Sequence, residues 1–437
     1  MGDGNVNEGS YRRSVNSWCM YDWANSAFAT TIMAAVLPAF YSSVAGKTLP
    51  GNLATVYYGY TTAIAMLLIA LVAPVLGAIG DHSGAKKRLL AGFVTMGMFF
   101  TAMLYFVGAG DWQKASIFFI LGNVGFSAAN IFYDGLLPHV ATRGDIDQVS
   151  TRGYALGYLG GGLLLAVNLA MIMKPALFGL PNAELASRWS FVTVAIWWGV
   201  FTLPLLRYVR EPQAVRQPGE SANSLTAGFQ RLAHTMREVR RYRQLAIFIL
   251  AFWLYNDGIG TIIKMATIYG KEIGIGTTDL VGAILAVQFI GIPFAFLFGR
   301  LAGKIGAKRS VLFGLAVYAG ISIGGYFMST ALHFWILAVL VGFVQGGTQA
   351  LSRSIFGSMV PKVRSAEFFG FYNVSSKFAG IVGPAVFAFV GQIMGSSRLS
   401  IVSLLVFFLL GGVLLSLVDV EEGVMAAQGG QRLEFAA

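Results

Sequence analysis

The sequence predicts an all-α polytopic membrane protein, and three observations carry that prediction. Twelve separate apolar stretches run from Trp18 to Val418. About 20 apolar residues cross the roughly 30 Å of bilayer hydrocarbon, and there only a helix satisfies its own backbone. Hydrophobic residues make up 56% of the chain and charged residues 12%, against about 25% charge in a soluble domain. The basic residues, finally, are distributed unevenly among the connections, as orientation in a membrane requires.

Taken in order, the predicted spans are 15–43, 54–79, 89–109, 115–138, 152–174 and 189–207, then 244–270, 277–299, 310–329, 332–359, 370–394 and 398–418. The chain divides accordingly into an N-terminal tail (1–14), a first group of six segments (15–207), a linker (208–243), a second group (244–418) and a C-terminal tail (419–437), short, polar and carrying no domain. With both termini cytoplasmic, 23 of the 31 Lys and Arg fall in or beside cytoplasmic segments. Six lie outside (Lys47, Lys114, Lys174, Arg188, Lys271, Arg398) and two within segments (Lys264, Lys377). The +11 net charge is therefore a topology signal and an attraction to anionic lipid rather than a nucleic-acid footprint. The expected location is the cell (inner) membrane, multi-pass. No apolar stretch precedes a small-residue cleavage site in the first 17 residues, so no cleaved signal peptide is expected. The single cysteine, Cys19, excludes an internal disulfide, and the four scattered histidines form no ligand cluster. No metal site or cofactor is expected.

The linker opens at Glu211-Pro212 and Gln217-Pro218-Gly219; beyond them Leu225, Phe229, Leu232, Met236 and Val239 recur at spacings of four and three between arginines. That pattern predicts a basic amphipathic helix on the cytoplasmic membrane surface, covering the bundle floor or holding a partner.

Six segments, a basic linker and six more segments suggest an internal repeat. Gly77 to Lys87, after segment 2, matches Gly299 to Arg309, after segment 8, at a constant offset of 222. The first copy reads Gly77-Ala-Ile-Gly80-Asp81-His82-Ser83-Gly84-Ala85-Lys86-Lys87-Arg88. It resembles the signature loop between helices 2 and 3 of the major facilitator superfamily, with Ala85 as one extra residue before the basic run. The resemblance implies twelve transmembrane helices in two pseudo-symmetric six-helix bundles, and a loop that latches the bundles in the outward-facing state. Asp81, Lys86, Lys87 and Arg88 are its expected gate residues. The second copy has Gly303 where the acid would sit, predicting a weaker latch there.

In that plan helices 1, 4, 7 and 10 line a central cavity and helices 3, 6, 9 and 12 face lipid. The polar residues fit it independently. The interiors of segments 3, 6, 9 and 12 carry no charge, Asn or Gln, whereas Asn123, Ser127, Asn130 and Asp134 share one face of segment 4. Segment 1 supplies Asp22, Asn25, Ser26 and Thr30, segment 7 Asn256, Asp257, Thr261 and Lys264, and segment 10 Gln345, Gln349, Ser352 and Arg353. Segment 11 adds Asn373, Ser376 and Lys377 before a kink expected at Gly383-Pro384. An ionisable group inside a membrane costs at least about 2.5 to 3.5 kcal/mol, so it marks a wet cavity or a partner.

Depth sorts these charges. Asp22, Asp134, Arg353 and Lys377 lie within about two turns of the cytoplasmic ends, which suggests an ion-pair gate with Asp134 against Arg353 or Lys377. Asp257 lies near mid-membrane and is the expected coupling or substrate-contact site. Asn25, Asn130, Asn256, Gln345, Gln349 and Asn373 would bond a polar solute, and Lys377 a substrate carboxylate. The plainer alternatives are that Asp22 and Asp134 merely pair at helix ends and that Lys264 snorkels to the interface. Gly153, Gly157 and Gly161, four apart in segment 5, predict close helix packing.

Tyr21-Asp22-Trp23-Ala24-Asn25-Ser26-Ala27-Phe28, with Thr30-Thr31 after it and Tyr133-Asp134-Gly135 and Pro138 in segment 4, resembles the "unknown major facilitator" family, which includes the fungal autophagy-related vacuolar effluxers. That likeness spans nearly the whole chain and implies export of small solutes, with amino acids the substrate class of the fungal branch. The mid-helix Arg of drug/proton antiporters and the Pro-Glu-Ser-Pro-Arg motif of sugar porters are both missing. The expected function is secondary active transport of a small polar solute by alternating access, as proton-coupled efflux, with the solute, H+ and membrane lipids as partners and the protein a monomer. The alternatives are a lipid or lysolipid flippase and a non-transporting sensor or scaffold. An enzyme is not expected, because no nucleophile and base occur together at helical spacing.

Overall fold

A computed structural model describes residues 8–50, 53–214, 226, 230, 242–378, 382–394 and 397–436. The first six segments are α1 (Glu8–Ala45), α2 (Leu53–Ser83), α3 (Lys86–Met103), α4 (Trp112–Val140), α5 (Ile146–Met173) and α6 (Ala183–Tyr208). The second six are α7 (Arg243–Glu272), α8 (Thr277–Ile305), α9 (Ala307–Tyr326), α10 (Ala331–Met359), α11 (Ser365–Phe378 and Val382–Met394) and α12 (Ser397–Ser403 and Leu405–Leu417). Among the described residues, ten helices are long and apolar enough to cross a membrane. The other two predicted segments are α9, which opens on Lys308 and Arg309, and α11, which is described in two pieces.

Side chains set the helix ends and irregularities. The Asn182 side chain caps α6 by accepting from Leu185 N at 2.8 Å, and the Thr330 hydroxyl caps α10 by accepting from His333 N at 3.3 Å. In α1 the backbone widens into π-turns over Phe28–Ala35 and Tyr41–Ala45, on either side of Pro38. Proline brings no N–H to the ladder, and π-turns are a common way to absorb such a defect near functional sites.

Each half has its own apolar core. One is built on Trp18, Phe28 and Trp198 from α1 and α6, with side chains of α3 to α5. The other is built on Phe252, Tyr318 and Phe408, from α7, α9 and α12. Small residues allow the tightest crossings. A Cβ at Gly153 would lie 2.5 Å from an Asp22 carboxylate oxygen, and one at Gly157 2.7 Å from Ser26 Oγ. The glycine stripe of α5 thus lets α1 lie directly against it. Across the halves, a Cβ at Gly77 would sit 2.1 Å from the Ala366 carbonyl oxygen, so α2 and α11 meet backbone to backbone.

Four sequence expectations need correction or placing. The helices overrun the predicted spans, and α1 starts at Glu8, because polar first turns remain helical outside the hydrocarbon. The 419–437 tail, expected only to be polar, forms a helix, α13 (Val420–Ala436), docked by Gln244 Nε2 donating to Glu422 Oε2 at 2.6 Å. The kink predicted at Gly383-Pro384 falls at the start of the helical piece Val382–Met394, and residues 379–381 ahead of it lie outside the described residues. The expected amphipathic linker helix also lies outside them, apart from Thr226 and Gln230.

Candidate substrate cavity and gate

Between the halves lies a cavity of about 510 Å³. Its wall combines Asp22, Asn25 and Thr30 of α1 with Asn130 and Asp134 of α4, and Asn256 of α7 with Gln345, Gln349 and Arg353 of α10 and Asn373 of α11. Asn25 Nδ2 donates to Asn130 Oδ1 at 2.7 Å, which orients both amides along the wall. Phe126, Phe252 and Tyr372 supply apolar surface between the amides. A wall of that kind suits a small polar solute carrying some hydrocarbon, since a few fixed polar groups orient the ligand and apolar area binds the rest.

At the end of the cavity nearer the two chain termini, a single cation joins the halves. Arg353 Nη2 lies 3.0 Å from Asp22 Oδ2 and Nη1 3.3 Å from Asp134 Oδ1. Its Nε donates to Ser150 Oγ at 2.9 Å and Nη2 to the Ser150 carbonyl at 3.0 Å. Ser150 Oγ donates onward to Ala350 O at 2.7 Å, and Asn373 Nδ2 approaches Asp134 Oδ2 at 3.4 Å. Aromatic rings enclose the guanidinium: its carbon stands 4.8 Å from the Trp18 ring centroid, 5.5 Å from that of Tyr133 and 4.5 Å from that of Tyr154. Ion pairs, carbonyl bonds and ring faces together replace the water that a buried guanidinium would otherwise hold. Two carboxylates face one cation, so the cluster has a formal charge of −1 when all three are ionised.

Closer to the termini lies a second layer. Lys86 Nζ pairs with Asp81 Oδ1 at 2.7 Å, both side chains almost wholly buried. Asp81 in turn accepts from Ala366 N at 3.2 Å and Glu367 N at 2.8 Å, two of the amides left without intrahelical acceptors at the start of α11. His139 Nε2 lies 3.4 Å from Lys86 Nζ and 3.2 Å from Ser365 Oγ, which donates to Gly135 O at 2.7 Å. Ser354 Oγ donates to Asp147 Oδ1 at 2.5 Å. All these bonds between the halves lie on the termini side of the cavity.

The other expected site residues fall elsewhere. Asp257 is buried but does not line the cavity; its Oδ2 accepts from Gly383 N at 2.8 Å, capping the second piece of α11. A carboxylate at a helix N-terminus stabilises it by bonding an orphan amide and facing the positive dipole end. Lys87 is turned away from the opposite half, its ammonium on Val209 O and its amide on the Glu211 carboxylate. Arg88 is exposed, as is Lys264, and the Lys377 side chain lies outside the described residues. Sequence reasoning missed Tyr154, Tyr158 and Ser150 of α5 and Gln288 of α8. The two tyrosines are one turn apart on a helix read only for its glycines, and that i, i+4 pair of amphipathic rings was the available signal.

A polar cavity between two six-helix halves, sealed on one face by ionic bonds that cross the interface, defines a membrane transporter of the major facilitator type. Solved structures agree on the fold. The proton:xylose symporter XylE, bound to 6-bromo-6-deoxy-D-glucose, superposes with a TM-score of 0.72 at 14% identity, covering 95% of this chain and 97% of that one. The family described as "Vacuole effluxer Atg22 like" matches residues 53–428, and the protein belongs to it. Relatives include a Bacillus subtilis (strain 168) protein named as an uncharacterized MFS-type transporter, YxiO, 39% identical over 421 residues, 96% of this chain and 97% of the relative. Autophagy-related protein 22 of Eremothecium gossypii is 24% identical over 404 residues, 84% of this chain and 78% of the relative.

Proposed function

We propose that this protein is a proton-coupled exporter of small zwitterionic solutes, amino acids foremost, working by alternating access with both termini in the cytoplasm. The observation that carries this reading is the Arg353 cluster at the floor of a polar cavity. Arg353 comes from the second half and both carboxylates from the first, so the three groups can stay together only while the halves are closed on the termini side. A proton taken by Asp22 or Asp134 weakens that closure and favours opening toward the cytoplasm; its release there restores the ion pairs, and the halves close again around a solute held by the cavity wall. The coupling role expected of Asp257 passes in this reading to the Asp22–Asp134 pair, because those carboxylates line the cavity and Asp257 is committed to α11. Amide side chains on α1, α4, α7 and α10 would bond the solute. Its direction as efflux follows the family description.

Counterflow of labelled amino acids in proteoliposomes tests this, since exchange needs no imposed gradient. Wild type should accumulate label above empty vesicles, and Arg353→Gln should lose at least about 90% of that flux, because it leaves two buried carboxylates with no cation between them. Asp134→Asn should retain exchange and lose proton-driven flux. Absence of counterflow in folded wild type removes the amino-acid reading and brings forward movement of labelled lysolipid.

A further inference from the structure

We propose that the termini face of the first half holds the phosphate of an anionic phospholipid in a crevice between the ends of α1, α3 and α6. The crevice measures about 610 Å³, and Arg13, Lys87, Arg207 and Arg210 all line it together with Tyr208. Arg13 and Arg207 lean on the same ring, their guanidinium carbons 5.4 Å and 5.6 Å from the Tyr208 centroid. Two arginines on the surface take a carboxylate from their own helix, Arg12 from Glu8 and Arg188 from Glu184, each at 2.6 Å. Arg13, Arg207 and Arg210 have no carboxylate partner among the described residues. The one acid beside them, Glu211, is engaged by the backbone N–H of Lys87 at 3.0 and 3.1 Å. Four like charges lining one crevice repel one another, and an anion bridging them relieves that repulsion. Phosphate oxygens match the paired N–H groups of guanidinium forks.

The wall leading away from the crevice points to a lipid as the phosphate's carrier. Ile196, Val200 and Leu203 of α6 are 58%, 53% and 61% exposed, and with Arg207 they follow spacings of four, three and four. One helix face therefore runs from an apolar stripe into the cationic crevice, which places an acyl chain along α6 when the headgroup sits at Arg207. The second half lacks the site. Lys308 there bonds Val418 O at 2.7 Å as Lys87 bonds Val209 O. Aligned on those carbonyls, Arg207 corresponds to Ser416, Tyr208 to Leu417 and Arg210 to Asp419. The cations belong to this one place and not to the repeat.

The test is retention of phosphatidylglycerol against phosphatidylcholine, counted as bound lipids per protein by native mass spectrometry. Wild type, Arg13→Gln/Arg207→Gln and Arg300→Gln/Lys304→Gln are compared, the last removing two cations from the same face of the other half. Wild type should retain phosphatidylglycerol preferentially. Arg13→Gln/Arg207→Gln should lose roughly tenfold of that preference, the scale set by two near-surface cations, with melting in detergent unchanged, and the control variant should keep it. Equal retention of both lipids by wild type, or equal loss in both variants, overturns the site. So does an equal gain in melting temperature from inorganic phosphate and from phosphatidylglycerol at one concentration, which would make the ligand a soluble anion.

Discussion

The connections α2–α3 and α8–α9 occupy matching places in the two halves, yet only the first grips the opposite half. In the first, Asp81 is buried, paired with Lys86 and bonded to two amides at the start of α11. In the second, Gly303 stands at that position, exposed, with nothing within 4 Å of where a Cβ would be. What the copies share is an anchor inside each half. The turn after α2 takes Gly84 and Ala85, whereas the turn after α8 takes Gly306 alone, with φ +59° at Gly84 and +89° at Gly306. Ala85 is the extra residue, and it moves the structural match by one, so that Lys87 corresponds to Lys308. Both lysines donate to carbonyls at the end of the last helix of their own half, Val209 for one and Ser416 and Val418 for the other. The duplicated element is thus a clamp within each half, and the contact between halves was built on one copy only.

That difference can be broken from either side. Asp81→Ala should have the largest effect, since it leaves a buried Lys86 ammonium without its counter-ion and beside His139. The closed arrangement should lose about 3–5 kcal/mol relative to one in which Lys86 reaches water. Spin labels on the termini-side ends of α2 and α11, in a Cys19→Ser background, should then report a longer and broader distance distribution. An unchanged distribution would show that the Arg353 cluster alone holds the halves. Next in size come Lys87→Met and Lys308→Met, each removing a charged donor from helix-end carbonyls. Because neither lysine is fully buried, about 1 kcal/mol is expected, within the range for such bonds after solvent screening. Melting should fall by similar amounts in both variants while the α2–α11 distance stays put. A distance change in only one of them would contradict the shared clamp.

Much of this architecture was legible in the sequence because its signals are local or periodic. Spans follow from runs of apolar residues, the cavity wall from polar residues three and four apart on segments 1, 4, 7 and 10, and the repeat from a constant offset. Asp134 facing Arg353 was foreseeable from depth alone. Facts that depend on another helix were not. Asp257 reads as a mid-membrane acid in search of a function until α11 brings the Gly383 amide to it. Ser150, which holds Arg353 through both its hydroxyl and its carbonyl, is one of many serines until α5 and α10 are placed side by side. The one-residue shift at Ala85 was also hidden, because the sequence match runs on unbroken while the helix starts do not.

Gly303→Asp sharpens the same comparison at the smallest scale. The open space at Gly303 lets an aspartate fold in without a clash, so the variant asks whether position alone makes a grip between halves. Physical reasoning says it does not. Asp81 works because it meets the start of α11, where Arg364, Ser365 and Ala366 bring no negative charge before Glu367. One turn beyond the crossing of Gly299 and Thr151, a carboxylate at 303 would instead meet the start of α5, which already carries Asp145 and Asp147. Asp145 stands at that end with its carboxylate accepting from Thr142 N at 2.8 Å and from the Thr142 hydroxyl at 2.6 Å, and Asp147 accepts from Ser354. A third carboxylate there meets two like charges, so it should stay in solvent and change the closed state by less than about 1 kcal/mol. Counterflow within about fivefold of wild type is the expected result. A slowing larger than that would mean that α5 accepts a second grip, and that the one-sidedness of the contact is a property of residue 303 and not of the helix it faces.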